Sequence, residues 1–249
     1  MQKTEITNHA QEVRNAGYTL LRDHLRSSVV EDLAVAFEPI YAKHLDEIRD
    51  NPNRGPMRHY IELPFAEPFY RSQLHADADI VAIVRSLLGD DARLIQYATD
   101  TPAMGSEHQD WHGDLQPVFP EYPESWHPPI VLAVNFPFVD VTDENGPVEI
   151  ADGTHLLPFD DALQKIQDGK LQATRLLMNV GDVLIRDPRC VHRGTPNMTN
   201  TPRPMAVFAF ERSWSHSHSS HHAGSMSRAL YDTLSEMEQK LLERIVELA

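Results

Sequence analysis

A histidine and an aspartate two residues apart, in Gln109-Asp110-Trp111-His112-Gly113-Asp114, are the residues whose types and spacing first suggest chemistry. On an extended segment, positions i and i+2 point to the same side, so His112 and Asp114 can close on one metal ion. Eighty residues on, the stretch from Gly181 to Gly194 offers a turn and a strand-like run that delivers His192. Two histidines and one carboxylate on one face of a metal are the ligand set of non-haem Fe(II) centres, which keep positions open for a co-substrate and O2. A second pair, His108 and Asp110, has the same spacing. Residues 108, 110, 112 and 114 share one parity, so strand alternation leaves both pairs open.

These residues need a scaffold, and the patterning predicts one. Short apolar runs at 17–22, 58–63, 94–98, 131–136, 148–151, 176–180, 183–186 and 205–210 read as strands, set off by turn residues such as Asn145-Gly146 and Gly181-Asp182. Helical spacing recurs from Ser28 to Ile48 and from Ile80 to Leu88, the second stopped by Gly89, and again in a C-terminal helix over about 225–248. Many short strands with helices mainly at the two ends predict a mainly β fold with flanking helices, a double-stranded β-helix of jelly-roll or cupin-like type. The expected organisation is one domain: a helical buttress over about 1–90, the jelly-roll core over about 91–213, and the last helix. The segment 115–130 is rich in proline and aromatics, so it is no central strand; it stands either to wall a pocket or as a packed surface loop.

Composition narrows the setting. A formal net charge of -15 in 249 residues opposes nucleic acid or an anionic membrane as partner. Cys190 is the one cysteine, so no intramolecular disulfide forms, and the polar N-terminus has no apolar signal region. A cytoplasmic protein, monomer or homodimer, acting on a small molecule is the expectation.

Taken together, Gln109 to Asp114, Glu144-Asn145-Gly146-Pro147, Asp152-Gly153-Thr154-His155, Gly181-Asp182-Val183 and His192 followed by Arg203 resemble the phytanoyl-CoA dioxygenase family of Fe(II)/2-oxoglutarate oxygenases. The resemblance spans roughly residues 95–212. It implies Fe(II), 2-oxoglutarate and O2, with ascorbate as an accessory reductant, and His112, Asp114 and His192 as metal ligands. Gln109 and Trp111, placed as in the family, favour this pair over His108 and Asp110. Arg203, eleven residues beyond His192, corresponds to the basic residue that binds the distal carboxylate of the co-substrate, and a guanidinium suits a carboxylate because it donates two parallel hydrogen bonds. Gln109 and Asn135 are implied as further co-substrate contacts. The family pattern is not complete: Ala151-Asp152-Gly153-Thr154-His155 stands where many relatives have Pro-Gly-Ser-His, which leaves a hydroxyl contact to the co-substrate in question. The implied reaction is hydroxylation with succinate and CO2 as co-products, and the Asp114 carboxylate argues against halogenation.

Secondary candidates are weaker. His155 closes a turn and reads as structural, Cys190 as a buried thiol near the cavity, and His216 to His222 as a polar loop able to chelate stray metal. Arg186, Arg189, Arg193, Arg203 and Arg212 concentrate positive charge in the C-terminal part, where they either meet an anionic group or pair with surface carboxylates. A non-oxidative cupin-type metal protein is the rival, but His216-Ser217-His218 lacks the following glutamate such proteins use. A relative that binds metal or ligand without turnover is the other.

Overall fold

The computed structural model describes residues 1–47, 54–215 and 225–246. In chain order the elements are α1 (Lys3–Ala16), β1 (Tyr18–Leu21), α2 (Ser27–Glu47), β2 (Arg58–Glu62), α3 (Ser72–His75), α4 (Ala78–Leu88), β3 (Arg93–Pro102), β4 (Val131–Pro137) and β5 (Val148–Ala151). They continue as α5 (Phe159–Gln167), β6 (Ala173–Leu176), β7 (Val183–Arg186), β8 (His192–Gly194), β9 (Met205–Glu211), α6 (Arg228–Tyr231) and α7 (Glu236–Leu242). Two antiparallel sheets result, one of six strands in the order β1-β7-β4-β9-β3-β2, the other of three in the order β6-β5-β8. This is the sheet-rich jelly-roll arrangement with flanking helices that the strand pattern predicts.

The central strands β4 and β9 are buried at every position, which explains why they read as unbroken apolar runs. Their two faces still differ in use. Leu132, Val134, Phe136, Phe208 and Phe210 pack outward into the main core beneath α1, α2 and α4. Val131, Ala133, Asn135, Met205, Val207 and Ala209 face inward and line a cavity of about 470 Å³. The helices thus seal the back of the six-stranded sheet and leave its inner face for the site.

Three features depart from the sequence expectations. The N-terminal part is no pure helical buttress, because β1 and β2 form the two edges of the six-stranded sheet. The strand expected over 176–180 lies earlier, at Ala173–Leu176; beyond it Met178 makes an isolated bridge to Val141. In place of one C-terminal helix there are α6 and α7. The Thr233 hydroxyl donates to Leu230 O at 2.6 Å as α6 ends, and Ser235 caps α7 in a reciprocal box with Glu238. The turn between them preserves the apolar spacing, so Leu241, Leu242 and Ile245 still reach the core. Ile48, Leu248 and the histidine segment His216 to His222 lie outside the described residues. No helix among the described residues is long and apolar enough to cross a membrane.

Candidate metal centre and cavity

His112 and Asp114 sit on an irregular segment that joins β8 through one bridge, His112 opposite His192, closed by two backbone hydrogen bonds of 2.9 and 3.0 Å. Gly113 lets the ligand-bearing turn approach closely: a Cβ there would stand 3.0 Å from the carbonyl oxygen of Arg189, which is backbone and cannot yield easily. His112 Nε2 lies 3.7 Å from Asp114 Oδ1, and His192 Nε2 lies 3.4 Å from Asp114 Oδ2. Ligand atoms of the three residues all fall within 4.8 Å of one another, a spacing that can hold one metal ion. His108 and Asp110 are exposed and belong to no such group among the described residues.

The tautomers suit metal binding. His112 Nδ1 is 2.8 Å from Asp110 O and His192 Nδ1 is 2.8 Å from Cys190 O. A carbonyl only accepts, so each Nδ1 carries the hydrogen and each Nε2 presents a lone pair towards Asp114. Burial, reinforced by the Arg186 charge, pushes His192 down to about 3, so its ring is neutral at ordinary pH. Burial alone would raise Asp114, but Arg186 and the two histidines outweigh it and hold the carboxyl well below the usual range. Arg186 Nη2 donates to Asp114 Oδ2 at 2.8 Å.

Arg203 lines the same cavity, two residues before Met205 begins β9, and is fully buried. Its Nη2 donates to the carbonyl oxygen of Gly146, whereas Nε and Nη1 are buried without a partner among the described residues. Gly146, at φ 88°, belongs there because a Cβ would meet Thr195 O at 3.0 Å. Burial pulls Arg203 down to about 10, with Asp100 opposing and Arg58 adding to that effect, so it remains cationic at neutral pH. A buried cation with two free donors facing a cavity is costly unless an anion completes it. A carboxylate oxygen can accept from either of those donors.

The other predicted residues fall on the same cavity in different ways. Asn135 lines it with Oδ1 buried and unpartnered among the described residues. Gln109 lines it too, but its Oε1 accepts from Gly194 N–H at 3.0 Å and so helps hold β8. Cys190 is buried away from the cavity against Thr154 and the Ala151 carbonyl, and burial raises its thiol. His155 is structural, with Nε2 3.1 Å from Arg14 O. Of the segment 115–130 only Leu115 lines the cavity, while Phe119, Tyr122 and Trp126 are exposed; the expected wall is largely a surface loop.

The arginine cluster divides. Arg189 pairs with Asp187 at 2.6 Å, Arg193 with Glu149 at 2.8 Å, and Arg212 donates to two backbone carbonyls, so those three are structural. Arg186 and Arg203 line the cavity. Missed from the sequence was the pairing of buried Arg58 with Asp100 at 3.0 Å beside Arg203. Alternation within β2 and β3 carried that signal, since Arg58 and Asp100 share the inward parity of Tyr60 and Gln96.

A jelly-roll core with a His-x-Asp pair and a distant histidine at one cavity defines a class of mononuclear metal oxygenases. The phytanoyl-CoA dioxygenase (PhyH) family matches residues 13–205, and the chain belongs to that family, an iron- and 2-oxoglutarate-dependent dioxygenase by kind. It is similar to the iron/alpha-ketoglutarate-dependent dioxygenase ausU of Aspergillus calidoustus, 22% identical over 247 residues that cover 96% of this chain and 81% of the relative. Among solved structures the fold is shared with the epimerase SnoN from nogalamycin biosynthesis, at TM-score 0.63 and 18% identity over 85% of each chain. It is shared also with EctD from S. alaskensis in its apoform, at TM-score 0.63 and 21% identity over 85% of this chain and 77% of that one. The carbocyclase SnoK from nogalamycin biosynthesis aligns at TM-score 0.62 and 18% identity over 86% of this chain and 85% of its own.

Proposed function

We propose that the protein hydroxylates a C–H bond of a small molecule, with His112, Asp114 and His192 holding Fe(II) and Arg203 binding the distal carboxylate of 2-oxoglutarate. The observation that carries this reading is the pair of unpartnered donors on Arg203, buried in the same cavity that three clustered ligand atoms open onto. Bound Fe(II), with 2-oxoglutarate and O2, supplies the oxidising power and releases succinate and CO2.

The protein residues have narrower tasks. Cys190 O and Asp110 O fix the imidazole tautomers, and Arg186 keeps Asp114 ionised. Arg203 orients the co-substrate through charge-assisted hydrogen bonds from its guanidinium, and Asn135 offers a nearby carboxamide. The oxygen of Gln109 is committed to Gly194, so its contact to the co-substrate falls to its amide nitrogen. Val131, Ala133, Val207 and Ala209 supply an apolar wall that excludes water from the reacting C–H bond.

Asp114→Ala and His192→Ala are each expected to abolish 2-oxoglutarate-dependent succinate release while the far-ultraviolet circular dichroism stays that of the wild type. Undiminished release from either folded variant overturns the ligand assignment.

A further inference from the structure

The inner sheet face contains a row that the proposed iron and co-substrate contacts leave over. Arg186 stands opposite Ala133, Ala133 opposite Ala209, and Ala209 opposite Gln96. All four line the cavity. A guanidinium and a carboxamide therefore stand at the two ends of a floor made of two methyl groups. Neighbouring strands lie about 4.8 Å apart, so the three steps from Arg186 to Gln96 span roughly 14 Å, the length of a small organic molecule. Leu115 and Val131 add apolar wall beside this floor.

The two ends are not alike. Gln96 already donates to the Tyr60 hydroxyl. Arg186 uses Nη2 on Asp114, while its Nη1 is buried and has no partner among the described residues. Charge points the same way. Asp100 is answered by Arg58. With a divalent metal and dianionic 2-oxoglutarate in place, and with the lining charges of Glu62 and Arg54 offsetting each other, Asp114 and the co-substrate carry three negative charges against four positive ones on the metal, Arg186 and Arg203. One positive charge is left over, in a cavity whose floor is apolar, and the unpartnered Arg186 nitrogen is where an anion can answer it.

Resting on the function proposed above, we infer that the substrate is a small organic acid whose carboxylate is received by Arg186 Nη1 and whose apolar body lies across Ala133 and Ala209 towards Gln96. Arg186 is then a specificity-determining residue as well as the partner of Asp114. An amide or alcohol of the same shape lacks the charge that the site selects.

Hexanoate and hexanamide serve as a matched pair of probes. The protein is loaded with Fe(II) and saturating 2-oxoglutarate without oxygen, and its visible charge-transfer band is followed as each probe is added. Formation of the band tests the iron and co-substrate reading by itself; the response to the probes tests the substrate class. Hexanoate is expected to perturb the band saturably, with hexanamide at least about tenfold weaker. Arg186→Gln should erase that preference and Arg186→Lys should keep it in part, each read as the ratio of hexanoate to hexanamide response in protein whose band has formed. Ala133→Leu, which fills the floor and leaves the guanidinium in place, should weaken hexanoate without weakening the co-substrate. Equal response to the two probes, no saturable response to hexanoate, or a preference that survives in Arg186→Gln overturns the inference.

Discussion

Arg203 is a buried side chain whose hydrogen bonding stays incomplete among the described residues. Its Nη2 is held by Gly146, and its other donors have no partner among the described residues, so folding leaves a buried cation half satisfied. On the proposed reading the distal carboxylate of 2-oxoglutarate completes it. Replacing Arg203 by alanine is expected to raise the 2-oxoglutarate requirement on the order of a hundredfold, the equivalent of losing two charge-assisted hydrogen bonds. Arg203→Lys keeps the charge without the fork and should fall between the two. Succinate release against co-substrate concentration measures this, and a wild-type requirement in Arg203→Ala would contradict the role. At this scale much was legible: the types and spacing of His112, Asp114, His192 and Arg203 stand in the sequence. Arg186 was visible only as one of five arginines, because its proximity to Asp114 depends on the backbone contact of Asp114 N–H with Pro188 O across about seventy residues of chain rather than on any local spacing.

At the scale of elements, α3 inserts a histidine into the wall behind the site. His75 is completely buried between Tyr70, Tyr97 and Phe208, with ring centroids 5.2, 4.5 and 5.2 Å away. Burial pushes it from 6.5 to about 4, so the folded protein binds it neutral. The unfolded chain takes up the proton first as pH falls, and the fold therefore loses stability from about pH 6.5 down to about pH 4, on the order of 3 kcal/mol in all. His75→Phe removes that titration. Urea unfolding at pH 7 and pH 4.5 should show a smaller acid loss in the variant than in the wild type, and equal losses would refute the assignment. Such elements were only partly legible. The strands β4 and β9 announced themselves by apolar runs, whereas α1 buries only Ala10 and Val13, and α5 only Ala162, too few apolar positions to mark a period. The C-terminal break was hidden because Leu230, Leu234, Leu241 and Ile245 keep helical spacing across it.

For the whole molecule, the site is a joint between two sheets. His112 and Asp114 precede β4, His192 begins β8 in the smaller sheet, Arg186 ends β7 in the larger sheet, and Arg203 lies just before β9 of that sheet. Ligands that bind across this joint tie the sheets together and favour the folded state by mass action. At a hundredfold excess over its dissociation constant, a ligand adds about 2.7 kcal/mol, which for a chain of this size raises the melting temperature by roughly 5–10 °C. Anaerobic calorimetry should find a rise with Fe(II) and a further rise with 2-oxoglutarate, the second absent in Arg203→Ala. No change with either would mean that the cavity is not where they bind. The jelly-roll class was readable from strand count and turn spacing, but the pairing that brings His192 beside His112 was not, since an eighty-residue separation carries no periodicity.

The central claim is that His112, Asp114 and His192, and not His108 and Asp110, hold the iron on which 2-oxoglutarate binds. The most direct measurement adds 2-oxoglutarate anaerobically to the Fe(II)-loaded protein and follows the weak visible charge-transfer band of the chelate in the wild type, His108→Ala and His112→Ala. The expected result is a band in the wild type and in His108→Ala and none in His112→Ala. A band that persists in His112→Ala, or a wild-type protein that binds iron and shows no band, would contradict the account.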